Sequence, residues 1–322
     1  MRTSSTQCAR QDIMQTSASS VGFIGLGRMG RGMASNLQKK GFRLQVLDID
    51  AEAVGHVVAL GAQPARSVAD MARECDIVIT MLPTSVEVEA VATGPQGVFA
   101  NGRKGGVLMD MSTIDPLATD RLHAQALKVG MSVVDAPVGR LAEHADRGES
   151  LFMVGASDAD FARVKPLLEA MGTTIHHCGD VGSGGRTKIV NNYLAITLCQ
   201  VNAEALALSQ RFGLDLVRTL QVLFGTSASN NQLKINFVNK VLAGDTRPGF
   251  TIDLAHKDLG LVMASAHAAK VPMPVAAAVY EAFSQARAAE FGQLDFSAIA
   301  DVLAQFAHIE KPRVPAGWKP QA

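Results

Sequence analysis

The chain of 322 residues carries 30 basic and 30 acidic side chains, and 48% of it is hydrophobic against 19% charged. That length suits two domains, and that apolar content can fill a sizeable core. A formal net charge of zero argues against nucleic acid or an acidic membrane surface as the main partner, so any anion it binds should be small and held by local charge.

Residues 1–19 are polar and rich in Ser, Thr and Gln, and they lack the apolar core of a secretory signal. They read as a disordered tail, with Met14 as an alternative start. From residue 20 to 182 short apolar runs alternate with helical patterns. "VGFIG", "FRLQVLD", "DIVITMLP", "GGVLMDMS", "MSVVDAP" and "SLFMVG" read as strands bounded by Gly, Pro or Asp. Helical stretches lie between them, at 29–40, 51–60 and 116–129. Alternation of this kind predicts an α/β fold with a parallel sheet covered on both faces.

Within the first unit, "GFIGLGRMG" places Gly25, Gly27 and Gly30 directly after a strand and at the mouth of a helix. The first glycine permits a tight turn, the second lets backbone approach a pyrophosphate, and the third allows close helix–strand packing. Asp48 ends the second strand 23 residues after Gly25, where a carboxylate can accept both ribose hydroxyls and repel a 2′-phosphate. Its neighbours Ile49 and Asp50 add no arginine, so NAD is expected in preference to NADP.

"GDVGSGGR", residues 179–186, reads as a glycine-rich joint. Beyond it, helical periods cover 187–210, 214–224, 231–243, 253–270, 275–289 and 297–305, which predicts an all-helical domain over 183–310 and a flexible, proline-rich tail over 311–322. The apolar stretch 189–208 is interrupted by Asn191, Asn192, Gln200, Asn202 and Glu204, which suits a buried helix and not a membrane span. Cys8, Cys75, Cys178 and Cys199 form no C-x-x-C pair, a pattern that fits a reducing cytosol. His176-His177 has no further ligand at metal-binding spacing, so no metal is expected.

Lys188 opens the first apolar helix, with Asn192 one turn later and Ala195 on the same face. Such a lysine either snorkels to water or faces a polar cleft. Carbonyl reduction leaves an oxygen that needs a proton, and a desolvated lysine can supply one near neutral pH.

The stretches "GFIGLGRMG", "MLPTS", "DMSTIDP", "DAPV", "GSGGRTKIVNN" and "DLAHKDLGL" together resemble the β-hydroxyacid dehydrogenases, the family of 3-hydroxyisobutyrate dehydrogenase and tartronate semialdehyde reductase. The resemblance runs from Val21 to about Ala300. It implies an N-terminal Rossmann-type doubly wound sheet with a C-terminal all-helical domain, NAD as cofactor, and a homodimer or homotetramer built through the helices. Gly25, Gly27, Arg28, Met29, Gly30 and Asp48 match the dinucleotide turn and ribose positions. Leu82 and Thr113 match positions on the nicotinamide side, and Lys257 matches a lysine that closes over the cofactor. Lys188 and Asn192 match the catalytic lysine and its neighbouring asparagine.

Where most of the family carries Ser-Gly-Gly after "APV", this chain has Gly139-Arg140-Leu141. A lone arginine normally reads as a solvated charge. The "PVGR" form with "VNNY", "VPMP" and "SQARAAE" resembles the branch that includes 3-sulfolactaldehyde reductase, in which the arginine is taken to hold a sulfonate. A guanidinium fork can pair two oxygens of such a head while Gly139 leaves room for it. The branch has a serine at the position of Ala195, so one hydroxyl is missing here. Glu143, His144, Asp146 and Arg147 read as solvent-facing.

The reading that follows is reduction of 3-sulfolactaldehyde to 2,3-dihydroxypropane-1-sulfonate, with Lys188 as proton donor and Arg140, Gly139, Asn191 and position 195 around the anion. A carboxylate substrate such as tartronate semialdehyde or methylmalonate semialdehyde is the alternative. A catalytically inactive cofactor-binding protein is the non-enzyme alternative, against which Lys188 and Asn192 both stand.

Overall fold

The computed structural model describes residues 19–320 and divides into two compact units, one ending at Lys188 and the other beginning at Ile189. In chain order the first unit runs β1 (Ser20–Ile24), α1 (Gly30–Lys39), β2 (Arg43–Leu47), α2 (Ala51–Val58), β3 (Gln63–Pro64), α3 (Val68–Glu74) and β4 (Ile77–Thr80). It continues with α4 (Ser85–Thr93), α5 (Val98–Asn101), β5 (Val107–Asp110), α6 (Pro116–Lys128), β6 (Ser132–Asp135), β7 (Val138–Gly139), α7 (Ala142–Asp146), β8 (Ser150–Gly155), α8 (Asp158–Met171) and β9 (Gly172–Gly179).

Among the described residues nine strands form one sheet, in the order β3-β2-β1-β4-β5-β6-β8-β7, with β9 paired to β8. The pairs from β3 to β6 are parallel. Their residues are apolar almost without interruption because both faces are covered. Val21, Phe23, Ile77, Ile79, Val107 and Met109 join one buried cluster, while Ile24, Val78 and Leu108 join another on the opposite face. The far side departs from the parallel expectation: β8 runs antiparallel to β6 and β7, then parallel to β9. β9 has no apolar run to announce it; its side chains are mostly exposed or half-buried, so backbone pairing to β8 carries it.

Most helices begin on a side chain that accepts a backbone N–H, Asp50 at α2, Thr84 in a capping box at α4, Asp115 before Pro116 at α6 and Ser157 at α8. Helix α1 begins without one. In and just after the short α7, Glu143, Asp146 and Arg147 are exposed and His144 is half-buried, as their charges suggest, while Ala142 and Ala145 are buried and Asn36 of α1 donates to the Ala145 carbonyl. Asp146 lies so close to Gly32 that a Cβ there would come within 2.5 Å of its Oδ1.

Helix α9 (Ser183–Arg211) begins inside the expected glycine joint, so Gly184 and Gly185 are helical, and it runs on through the division between the units. The second unit follows with α10 (Leu216–Phe224), α11 (Ile252–Ala268), α12 (Pro274–Ala288) and α13 (Ile299–Phe306). The helix expected over 231–243 is instead a π-helical turn, Gln232–Phe237, and a 3₁₀ turn, Val241–Ala243. The core joins Ile196, Cys199, Ala203 and Leu206 of α9 to Leu259, Phe283, Ile299 and Val302. No helix among the described residues is long and apolar enough to cross a membrane.

The tail expected to be flexible from residue 311 is tied down in its described part, to 320. Arg313 donates to both carboxylate oxygens of the buried Asp301 at 2.7 Å, the Val314 N–H donates to Leu242 O, and Trp318 stacks on Phe224. The sequence could not show this, because the partner of the Arg313 charge is a buried acid of α13. Arg313→Ala is expected to destabilise the helical unit by about 1–3 kcal/mol, less than for a wholly buried pair because Lys311 also approaches Asp301. Urea unfolding followed by fluorescence of Trp318, the sole tryptophan, reads this directly; an unchanged midpoint would mean that the ion pair contributes nothing.

Candidate active site

The connection from β1 leads to β2 on one side, whereas β4 returns to the other side of β1. Strand order reverses there, and a crevice opens outside the carboxyl ends of the strands. Gly25 follows β1, Asp48 follows β2, Leu82 follows β4 and Thr113 follows β5. The expected cofactor residues of the first unit therefore lie along one sheet edge.

The three glycines differ in what demands them. Gly25 has a φ of +96°, and a Cβ on it would sit 2.2 Å from Met81 O. A Cβ on Gly30 would sit 1.9 Å from Gly25 O, so that glycine is required by the turn's own backbone. At Gly27 a Cβ meets no described atom within 4 Å. The protein's packing does not require glycine at this exposed position, beside the helix start that no side chain caps. Space and N–H groups of this kind fit a pyrophosphate.

Asp48, just past the end of β2, is bonded to backbone on two sides. Its carboxylate accepts from Leu26 N–H and, at 2.8 Å, from Asp50 N–H, joining the glycine turn to the end of β2. An open cleft of about 590 Å³ beside the turn is lined by Gly27, Arg28, Arg31, Asp50, Glu52 and His56. Arg31 comes from the helix after the glycine turn, not from the residues that follow Asp48 in sequence. At the ends of β4 and β5, buried Asp110 accepts from Thr80 Oγ1 at 2.8 Å and from Ser112 Oγ at 2.6 Å. Ser112 Oγ in turn accepts from Leu82 N–H at 2.9 Å, which fixes Leu82 beside the segment carrying Thr113.

Lys188 is half-buried, and its Nζ donates to Val138 O at 2.8 Å. That carbonyl belongs to the two-residue β7, whose second residue is the buried Gly139. Arg140 follows with a φ of 69°, in the left-handed region. Its Nη1 donates to Glu149 O and, at 3.0 Å, to Thr173 Oγ1, and its Nη2 donates to Thr174 Oγ1 at 3.0 Å. Arg140 is thus exposed but anchored to the start of β9, neither loosely solvated nor wholly given to a ligand.

In the second unit, a polar chain joins Asn191 and Asn192 to Lys257. Asn191 Nδ2 donates to Asn192 Oδ1 at 3.0 Å, and Asn192 Nδ2 donates to Asp258 Oδ2 at 2.6 Å. Lys257 Nζ lies 3.0 Å from Asp258 Oδ1. Asp258 is 2% exposed, so it orients buried Asn192 and pairs Lys257 at once. Ala195 is half-buried and offers no polar atom.

Residues 20–179 match a family model described as the NAD binding domain of 6-phosphogluconate dehydrogenase. Residues 182–303 match one described as the NAD-binding of NADP-dependent 3-hydroxyisobutyrate dehydrogenase. The chain is 42% identical over 297 residues to the 3-sulfolactaldehyde reductase of Escherichia coli K12, covering 92% of this chain and 97% of that one. The chain belongs to the β-hydroxyacid dehydrogenase family. This β-hydroxyacid dehydrogenase is also 38% identical to the 2-(hydroxymethyl)glutarate dehydrogenase of Eubacterium barkeri, over 90% of its own length and 96% of the relative's. Among solved structures, Mycobacterium tuberculosis 3-hydroxyisobutyrate dehydrogenase with L-serine superposes with a TM-score of 0.82 at 31% identity, covering 88% and 99% of the two chains. As a member of the family, the protein is an NAD-dependent oxidoreductase acting on a CH–OH group.

Two acids of this β-hydroxyacid dehydrogenase were not singled out from sequence, Asp135 and Asp258. Each sits inside one of the motif stretches, "DAPV" or "DLAHKDLGL", but the donors to Asp135 lie 47 and 50 residues away and Asn192 lies 66 residues from Asp258. Gly27 and Gly30 thus answer to different demands, ligand and fold. Gly27→Ala is expected to leave thermal stability unchanged and to weaken NADH binding by about tenfold, as one misplaced contact near a phosphate would. Gly30→Ala should lower the melting temperature; equal behaviour of the two variants in melting and in NADH titration would contradict this division.

Proposed function

We propose that this β-hydroxyacid dehydrogenase interconverts a small C3 aldehyde acid and its hydroxy acid. Its sharpest form is reduction of 3-sulfolactaldehyde to 2,3-dihydroxypropane-1-sulfonate, in the cytosol, by a homodimer or homotetramer. Bound NADH supplies the hydride. Lys188, as the ammonium, gives a proton to the aldehyde oxygen; in reverse, the neutral amine takes it from the hydroxyl. Asn192, with its amide turned by Asp258, keeps the reacting end in register. Arg140 and Gly139, with Asn191, hold the anionic end.

The observation that carries this reading is the spacing on one short strand: the carbonyl that receives Lys188 Nζ lies two residues before Arg140. The contacts to Glu149, Thr173 and Thr174 engage both N–H groups of Nη1 and one of Nη2. The Nε–H and the second Nη2–H form a side-on fork that matches two oxygens of an anion. On this reading the threonines steady the fork that meets the substrate. The 42% identity to a 3-sulfolactaldehyde reductase supports sulfonate as that anion.

Ala195 favours a second reading, in which the anion is the carboxylate of tartronate semialdehyde or methylmalonate semialdehyde, since no hydroxyl stands there. Self-association is supported by Val190, Leu194, Val201 and Leu208, which are exposed along α9 at helical spacing and lead to exposed Phe212. A second copy is the occupant proposed for that stripe, and a monomer by sedimentation would overturn it. The reducing cytosol fits the free thiols Cys75 and Cys199, both buried.

NADH oxidation with 3-sulfolactaldehyde and tartronate semialdehyde side by side tests the substrate. The sulfonate is expected to be preferred, and NADH to be preferred over NADPH. Arg140→Ala should lower kcat/KM for the preferred aldehyde by about 10- to 100-fold, corresponding to about 1.5–3 kcal/mol for a charge-assisted contact. Lys188→Ala should abolish turnover while NADH still binds. Turnover that survives Lys188→Ala removes the proton-donor assignment, and a preference for the carboxylate restores the second reading.

A further inference from the structure

The first turn of α9 is held by a buried acid for which the reaction itself has no step. Asp135, at the end of β6, is 2% exposed. Its Oδ1 accepts from Gly182 N–H at 2.6 Å and its Oδ2 from Gly185 N–H at 2.7 Å. These are two of the donors that a helix start leaves without intrahelical partners. The glycines around it make the approach possible. A Cβ on Gly155 would lie 2.4 Å from Asp135 Oδ1, and one on Gly184 would lie 2.7 Å from Asp135 O and 2.9 Å from Oδ2. The glycine-rich segment is therefore a tight seat for one carboxylate and not a loose joint. Three residues after Gly185 comes Lys188, and three residues after Asp135 comes Val138, whose carbonyl receives Lys188 Nζ.

We propose that Asp135 is a positioning residue for Lys188, its carboxylate clamping the first turn of α9 to β6 so that the ammonium meets the β7 backbone in a single register. This rests on the reading of Lys188 as proton donor. The ionised carboxylate accepts both N–H groups at once in charge-assisted bonds; protonation removes the charge and leaves one oxygen a hydroxyl, a weaker acceptor, so the clamp loosens. Burial pushes the Asp135 carboxyl up to about 6, against the two backbone N–H groups that favour its charge. The other charged groups that act on it are Asp110 on β5, which raises it further, and Arg186 on α9, itself paired with Asp120 of α6.

The sign of the linkage separates function from folding. A carboxyl raised from 3.8 to about 6 binds its proton more tightly in the folded chain, so protonation between those values favours the fold. An acid limb of kcat from Asp135 should therefore appear near pH 6 without a fall in thermal stability caused by that group.

The test compares the full-length protein with Asp135→Asn. The variant is expected to lose about tenfold or more in kcat, the size of one charge-assisted hydrogen bond, with the KM for NADH unchanged and the acid limb abolished. Independently of turnover, hydrogen exchange of the peptide spanning Gly182 to Lys188 should quicken in Asp135→Asn, and in the unmodified protein its protection, relative to the intrinsic exchange rate that itself slows on acidification, should drop as pH falls through about 6. That second measurement stands even where the variant folds poorly. An unaltered acid limb together with unaltered exchange would overturn the proposal. If Lys188→Ala keeps turnover while exchange responds to Asp135, the proton-donor reading falls and the clamp remains as a helix anchor without the positioning role.

Discussion

A parallel sheet covered on both faces has no face left for a polar ligand. In this protein Val21, Phe23, Ile77 and Ile79 pack to one side of the sheet and Ile24, Val78 and Leu108 to the other. Chemistry is left with the strand ends, and the reversal of strand order between β1 and β4 makes the carboxyl edge the place where backbone can part. The glycine turn, Asp48, Leu82, Thr113 and Asp135 all stand just past or at the ends of strands on that edge. The position of each follows from which strand it terminates.

Polar groups that occupy such an edge must be held, and the structure holds them with buried acids. Asp110 gathers Thr80 and Ser112, and through Ser112 the N–H of Leu82. Asp135 gathers the N–H of Gly182 just before α9 and that of Gly185 in its first turn. In the helical unit Asp258 gathers Asn192 and Lys257. A buried carboxylate without partners is costly, so these acids are stable only with their donors in place, and the donors are thereby fixed in direction. The side chains expected to touch ligand are mostly attached to something that cannot move far.

Arg140 shows the same economy at an exposed site. A left-handed backbone at φ 69° turns the chain out of β7, and Glu149, Thr173 and Thr174 receive part of the guanidinium. An arginine held on one edge of its fork loses less rotamer freedom when an anion meets the other. In the segment that follows, Glu143, Asp146 and Arg147 face solvent as their charges suggest, while the buried Ala142 and Ala145 pack the turn against α1.

The sequence by itself determined the α/β unit followed by helices, the glycine turn with Asp48 at its expected distance, and the lysine and asparagine one turn apart on α9. These are local facts: hydrophobic period, turn chemistry and helix spacing act over a few residues and are written in order along the chain. Only the tertiary structure decided the rest. The antiparallel β8, the strand β9 without an apolar run and the anchoring of Arg313 to Asp301 depend on partners remote in the chain. So does the difference between Gly27 and Gly30, one open to space and one pressed on Gly25 O, since a motif shows two identical letters where packing shows two different surroundings. Asp135 and Asp258 stayed hidden for the same reason. An acid acquires its role from the donors that folding brings to it, and no spacing along the chain records them.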